Sequence, residues 1–303
     1  MGYIILDRMV CYDERRVEFH SSGEVCRGIL ITPPGEGRSP VVVMCAGFAG
    51  TQRTPAIRAA AHAFCRAGFA VLTFDYRRFG DSDGRPRQVI DLAGQRRDIE
   101  SAVDFVSGQT EIDATRIVLW GTSLGGGHVT VVAARRGDIA AVIAQVPFNG
   151  FPRRVEGRSA AATVRLLSAM AIDRMRGLLR LPPYYIDAVG APGSTAVMAS
   201  RAAEHAVALL DGTGWVNRVA PRVLFAMMRY HPGASAASVT APLLVCAATE
   251  DCETPLESVA EIARRAPEGR LLTYRVSHFD VYDAAVRQHL IADQIAFLDS
   301  VLR

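Results

Sequence analysis

The sequence predicts an α/β fold, a mostly parallel central sheet flanked by helices with a mostly helical segment inserted late in the chain. Three observations carry this expectation. Short β-branched runs such as Val41–Cys45 (VVVMC) and Phe69–Asp75 (FAVLTFD) are continuously apolar, the character of strands buried on both faces of a sheet. They alternate with stretches of helical periodicity, which implies right-handed βαβ units. The alternation then stops from Asn149 to Thr240, a gap too long for a structureless loop, and resumes at Pro242.

Taken in order, an early strand closing at His20 and a second at Val25–Thr32 lead into the strand at 41–45. Ala56–Arg66 follows as a helix, then the strand at 69–75. Leu92–Ser107 carries Ile99 and Val103 among charged residues, the pattern of a helix packed on one face. Arg116–Trp120 is a strand that runs into a glycine-rich turn at Gly121–Gly127 and an alanine- and valine-rich helix, and Ala140–Val146 is a strand again. Within the gap, Thr163–Leu181 and Val219–Met228 read as helices. Between them PPYYIDAVGAPGS opposes regular structure through its prolines and glycines. Pro242–Ala248, a helix at Pro255–Arg265, a strand at Leu271–Val276 and a helix from Tyr282 to Leu302 complete the sheet. The expected division is therefore a core of residues 1–148 and 241–303, with residues 149–240 inserted after the sixth strand as a cap.

Composition narrows the function. The 303 residues are 50% hydrophobic and 21% charged, ordinary for a globular chain. A formal charge of +3, from 34 basic and 31 acidic residues without a run of one sign, implies no nucleic-acid or membrane partner. All the basic residues are arginine. Without lysine there is no Schiff-base chemistry, no Ser-Lys dyad and no phosphate-binding P-loop. The six cysteines show no CxxC spacing, so neither a zinc site nor a disulfide framework is expected. No secretory leader or apolar run of membrane-spanning length is evident, and a cytoplasmic location is the expectation.

Gly121-Thr122-Ser123-Leu124-Gly125 is a G-x-S-x-G motif placed directly between a strand and a helix, the arrangement that exposes a serine hydroxyl on a tight turn. There the Leu124 N–H points at an oxygen developing charge beside Ser123. A serine nucleophile needs a histidine base. Of seven histidines, His278 alone lies just beyond a late sheet strand, at the loop edge where ligands meet a parallel sheet. The orienting carboxylate is expected after Pro242–Ala248. Asp251 is assigned because it lies four residues before the proline that starts the next helix, with Glu250 and Glu253 as alternatives.

The order Ser123, Asp251, His278 resembles that of the α/β-hydrolase superfamily. Met44–Gly50 (MCAGFAG) is similar to the family's loop after the third strand, with Ala46 where histidine is usual. That likeness implies that the Phe48 N–H is the second oxyanion donor beside Leu124, with Ala49 as the register alternative. Phe74–Gly84 (FDYRRFGDSDG) is similar to the segment after the fourth strand, where Asp75 and Arg77 are structural. GTSLGGGHV and SHFDVY are similar to segments of cap-bearing bacterial serine hydrolases related to acyl esterases and X-Pro dipeptidyl peptidases, with Ser277 replacing a glycine. The resemblance implies a serine hydrolase that cleaves a carboxylic ester of a small-molecule acyl substrate through an acyl-enzyme, with no cofactor and no metal. A thioester, prolyl amide, lactone or carbon-carbon bond, or transfer to an alcohol, would use similar machinery. A non-catalytic binding scaffold is the contrasting class. Tyr184, Tyr185 and Trp215, with Met170, Met175, Phe225, Met227 and Met228, are candidates to line an apolar pocket. Arg153, Arg154 and Arg158 are candidates to receive an anionic group. A homodimer is possible.

Overall fold

The computed structural model describes residues 12–152, 159–210 and 214–302. β1 (Asp13–Ser21) and β2 (Glu24–Thr32) form a hairpin closed by Ser22 and Gly23, both at positive φ (49° and 87°), the turn whose twist matches two antiparallel strands. β3 (Ser39–Cys45), α1 (Pro55–Arg66), β4 (Ala70–Phe74), α2 (Leu92–Ser107), β5 (Ile112–Thr122), α3 (Leu124–Ala133) and β6 (Ala141–Gln145) follow with strand and helix in alternation. After the insertion come β9 (Leu243–Ala248), α7 (Leu256–Arg265), β10 (Gly269–Tyr274) and α8 (Ala284–Leu302).

The eight strands lie in the order β1-β2-β4-β3-β5-β6-β9-β10, with β1 and β2 antiparallel to their neighbours and every later pairing parallel. The period-two geometry of a strand sorts side chains to the two faces. Val41, Val43 and Cys45 pack with α2, α3 and α7, whereas Val42 and Met44 pack with α1 and α8. All five are at most 1% exposed, which is why β3 carries no polar alternation. α2 begins where the Asp91 carboxylate accepts the Ala93 N–H, a capping contact that satisfies a donor the helix cannot.

Between β6 and β9 the chain forms α4 (Ala160–Leu178), β7 (Val189–Gly190), β8 (Met198–Ala199), α5 (Arg201–Leu210) and α6 (Val223–Met227). Two sequence expectations shift here. The helix read to Leu181 stops at Leu178, because Arg180 turns to φ 55° ahead of Pro182 and Pro183. The helix read over 219–228 shrinks to α6, since Val219 is engaged in a bridge with Ile186 (N–H to O 2.8 and 3.1 Å) and Pro221 has no N–H to give. α4 is tied to the start of α6 by Asp173, whose carboxylate accepts Arg222 Nε at 2.7 Å, Nη2 at 2.6 Å and N at 2.9 Å.

Candidate active site

The site is built on the turn between β5 and α3. Ser123 adopts φ 52°, ψ −120°, a strained conformation for a residue with a side chain. Three hydrogen bonds hold it. Its N–H donates to Gln145 O at 2.9 Å, and its carbonyl accepts from Gly127 N at 3.1 Å and Phe148 N at 2.9 Å. The flanking glycines are required by close approach. A Cβ on Gly121 would stand 2.4 Å from the Gly125 carbonyl oxygen, and one on Gly125 would stand 2.3 Å from the Cys45 oxygen. The tight packing of Gly125 brings the end of β3 beside the serine, so that a Cβ on Gly47 would lie 3.2 Å from the Ser123 Cβ.

His278 follows β10 and Asp251 follows β9, at the same C-terminal edge of the sheet. The structure brings both to Ser123. The His278 Nε2 is 3.1 Å from the Ser123 Oγ, and its Nδ1 is 2.7 Å from Asp251 Oδ2. Asp251 is held in turn, with Oδ1 accepting the N–H groups of Glu253 and Thr254 at 2.8 Å each and Oδ2 accepting the Thr254 hydroxyl at 2.8 Å. Of the other two carboxylates considered, Glu250 turns outward to Arg275 at 3.1 Å. Glu253 borders the cavity and accepts the Ser200 hydroxyl at 3.4 Å. Sequence reasoning missed Thr254. Its signal is the spacing D-x-x-T ahead of a helix, where an aspartate folds back on the amides that follow it.

Burial opposes charge on both members of the His278–Asp251 pair, and the pair overcomes it. For His278, desolvation pushes the imidazolium down, but the Asp251 charge, the Asp251 hydrogen bond and the Glu253 charge together leave it above its ordinary range. For Asp251, desolvation pushes the carboxyl up, and the His278 charge and the hydrogen bonds from His278 and Thr254 hold it below. The aspartate is therefore ionised and the imidazole is a stronger base than a free histidine.

The Phe48 and Leu124 N–H groups have no acceptor among the described residues, and Leu124 is the first residue of α3, where the helix offers no partner. The Phe48 side chain borders both hollows that meet Ser123. The larger, about 590 Å³, reaches Ser123, Leu124 and His278 and is walled mainly by Phe148, Phe151, Leu166, Met170, Leu224 and Met227. The smaller is a recess of about 30 Å³ beside Ile57, Trp215 and Tyr282.

The aromatic candidates of the insertion separate accordingly. Trp215 borders the recess and donates its indole N–H to Ala49 O at 2.9 Å. Tyr185 borders neither hollow. Its hydroxyl donates to Arg87 O at 2.7 Å and the Arg218 guanidinium lies 4.6 Å over its ring, so it fastens the insertion to the core. Tyr184 also borders neither; it is exposed, and its backbone N–H donates to Asp173 at 3.0 Å. Met170, Met227 and Met228 border the large cavity, while Met175 and Phe225 do not. Arg153, Arg154 and Arg158 lie outside the described residues. Among the described residues no cluster of His, Cys, Asp or Glu could hold a metal ion, and no helix is long and apolar enough to cross a membrane.

Residues 38–277 match the family described as serine aminopeptidase, S33. The chain is 34% identical over 289 residues to the quorum-quenching protein AidA of Acinetobacter baumannii (strain MDR-ZJ06), covering 94% of both chains. It is 28% identical over 296 residues to the polyketide transferase ATR5 of Stachybotrys chlorohalonatus (strain IBT 40285), covering 95% of this chain and 97% of the relative. Among solved structures it is similar to DcsB in complex with its substrate analogue, with a TM-score of 0.81 and 21% identity, covering 95% of this chain and 100% of DcsB.

Proposed function

We propose, because the chain belongs to the serine aminopeptidase, S33 family of α/β hydrolases, that it cleaves a carboxylic ester through an acyl-enzyme on Ser123. The observation that carries this reading is the hydrogen-bonded chain from Asp251 through His278 to Ser123, ending at the wall of a largely apolar cavity. As Ser123 Oγ bonds to the ester carbonyl carbon, its proton passes to His278 Nε2. Asp251 keeps the Nδ1 proton in place and stabilises the imidazolium that forms. The carbonyl oxygen becomes an oxyanion facing the Phe48 and Leu124 N–H groups. Collapse expels the alkoxide, which takes the proton from His278. Water then repeats the sequence on the acyl-enzyme and returns the serine.

In this reading residues 149–240 form a cap over a core of residues 1–148 and 241–303, and the large cavity receives the acyl chain of a small-molecule substrate. The finer likeness of GTSLGGGHV and SHFDVY to acyl esterases and X-Pro dipeptidyl peptidases makes a prolyl amide a substrate to test beside the ester. Acyl transfer is a second reading, favoured by the polyketide transferase among the relatives. It needs only an alcohol in place of water at the second step.

A fluorophosphonate probe tests the shared premise, an activated serine. Wild type should label and Ser123→Ala should not. With p-nitrophenyl acyl esters Ser123→Ala should lower kcat by about 10⁴ to 10⁶. Retention of more than about a tenth of the activity, only ~1.4 kcal/mol of barrier, removes Ser123 from the mechanism. Adding an alcohol and separating free acid from new ester distinguishes hydrolysis from transfer.

A further inference from the structure

α4 is apolar on the wrong side for a surface helix. Its buried face consists of Ala162, Ala169, Met170 and Asp173. Yet Val164, Leu167, Ala171, Met175 and Leu178, at helical spacing, line the opposite face toward solvent, with Val164 62%, Met175 55% and Leu178 66% exposed. Leu179 and Leu181 prolong this surface beyond the helix end. Contiguous exposure of this kind marks an interaction surface.

Its charge says which. Arg165, Arg174 and Arg176 flank the stripe and Arg180 closes it, whereas the sole acid between Ser159 and Leu181 is Asp173, buried against Arg222. Among the described residues none of the four arginines pairs with a carboxylate; Arg165 and Arg176 reach only the carbonyls of Gly193 and Pro182. A second copy of the same face would oppose arginine to arginine. An anionic, apolar-cored partner complements both features. The stripe is also continuous with the cavity, because Leu167 and Met228 are exposed to solvent and border the hollow that ends at Ser123.

We propose that the exposed face of α4 docks the protein on an anionic lipid bilayer, so that membrane-dissolved acyl substrates enter the cavity beside Leu167 and Met228. The docking is read from the surface alone; that it delivers substrate rests on the serine-hydrolase reading. The formal charge summed over the whole chain conceals this surface, since the local excess of arginine over acid here is confined to the stretch from Arg165 to Arg180.

The test is co-sedimentation of the full chain with vesicles of phosphatidylcholine, alone or mixed with phosphatidylglycerol, with wild type and Ser123→Ala so that binding is read with chemistry on and off. Both should pellet with the anionic vesicles and be released by high salt. Arg165→Gln with Arg174→Gln and Arg180→Gln should weaken partition on the order of 100-fold. Val164→Ser with Met175→Ser and Leu178→Ser should weaken it at least about 10-fold. Both triple variants should retain wild-type turnover of a short, water-soluble ester, which reports folding. Absence of binding to anionic vesicles, or binding indifferent to the serine triple, overturns the proposal. So does a wild-type dimer that the serine triple disperses while no vesicle is bound. Failure of fluorophosphonate labelling with vesicle binding intact sinks the hydrolase reading and leaves the docking standing.

Discussion

The core and the insertion each contain one carboxylate with no exposed surface that grips a distant arginine by both its main chain and its guanidinium. In the core Asp98 on α2 accepts Arg77 N, Nε and Nη2 at 3.1, 2.9 and 2.6 Å, and Arg77 also donates to the Ser21 hydroxyl at 2.7 Å. In the insertion Asp173 on α4 holds Arg222 in the same manner and adds the Tyr184 N–H. The surroundings differ. Arg77 is sealed between β1, α2 and the chain leaving β4, whereas the Arg222 side chain keeps 23% of its surface exposed and the helix above it faces solvent. One device thus serves two ends. In the core it ties α2 and the end of β1 to the chain leaving β4, and in the insertion it ties α4, which lines the cavity, to the start of α6.

The division of labour is broken most severely at the edge itself. Asp251→Asn should cost about 10⁴ in kcat, the loss expected when the carboxylate no longer selects the imidazole tautomer. Glu250→Gln, whose side chain faces Arg275, should be near silent in the same ester assay. Next come the twin grips. Asp98→Ala leaves a buried guanidinium uncompensated and should cost about 3–5 kcal/mol of global stability by denaturant titration. Asp173→Ala leaves a guanidinium that water can reach, should cost about 1–3 kcal/mol, and should raise KM more than it lowers kcat. Equal global losses would show that the insertion and core unfold as one unit.

Trp215→Ala should change the ranking of a short against a long acyl ester by about 1–3 kcal/mol, since it borders the recess beside Ser123. Tyr185→Ala should change stability rather than ranking. An equal effect of the two on ranking erases the distinction drawn between them. The smallest effect concerns pH. In the proposed mechanism the base works when neutral, so kcat/KM should fall as pH drops through the His278 ionisation. Burial lowers that ionisation, but Asp251 and, less strongly, Glu253 hold it above an ordinary histidine's, so the acid limb should lie above that of a free imidazole. Glu253→Gln should move the limb toward lower pH without abolishing turnover, which a pH profile of kcat/KM reads directly.

Legibility in the sequence follows the same boundary. Core strands were visible because burial on both faces forces continuous apolar runs such as Val41–Cys45, and α2 because Asp91 caps it and one face repeats. The turn at Ser123 and the loops holding His278 and Asp251 could be placed because each directly follows a sheet strand. Within the insertion, His205 falls in a helical pattern, but the bounds of α5 are not legible because no proline marks where it starts or stops. The helix expected from Val219 yielded to a backbone bridge with Ile186 that no local signal announces. Tyr185 reads as a pocket aromatic until its hydroxyl is found on the Arg87 carbonyl. The outward stripe of α4 was legible as periodicity, but periodicity alone does not say which face is inside.

The three glycines that open α3 bear on any attempt to harden this protein against heat. Replacing glycine by alanine inside a helix ordinarily gains up to about 1 kcal/mol. Each of these positions faces a different stretch of chain. An added methyl would meet the Cys45 and Ala46 oxygens at Gly125, the Pro147 side chain at Gly126, and the Phe148 oxygen with the Pro232 ring at Gly127, at separations from 2.3 to 2.9 Å. These three weak helix formers are therefore ones a stabilising programme must leave untouched. A gain from replacing glycine has to be sought at glycines with open space around them, such as Gly137.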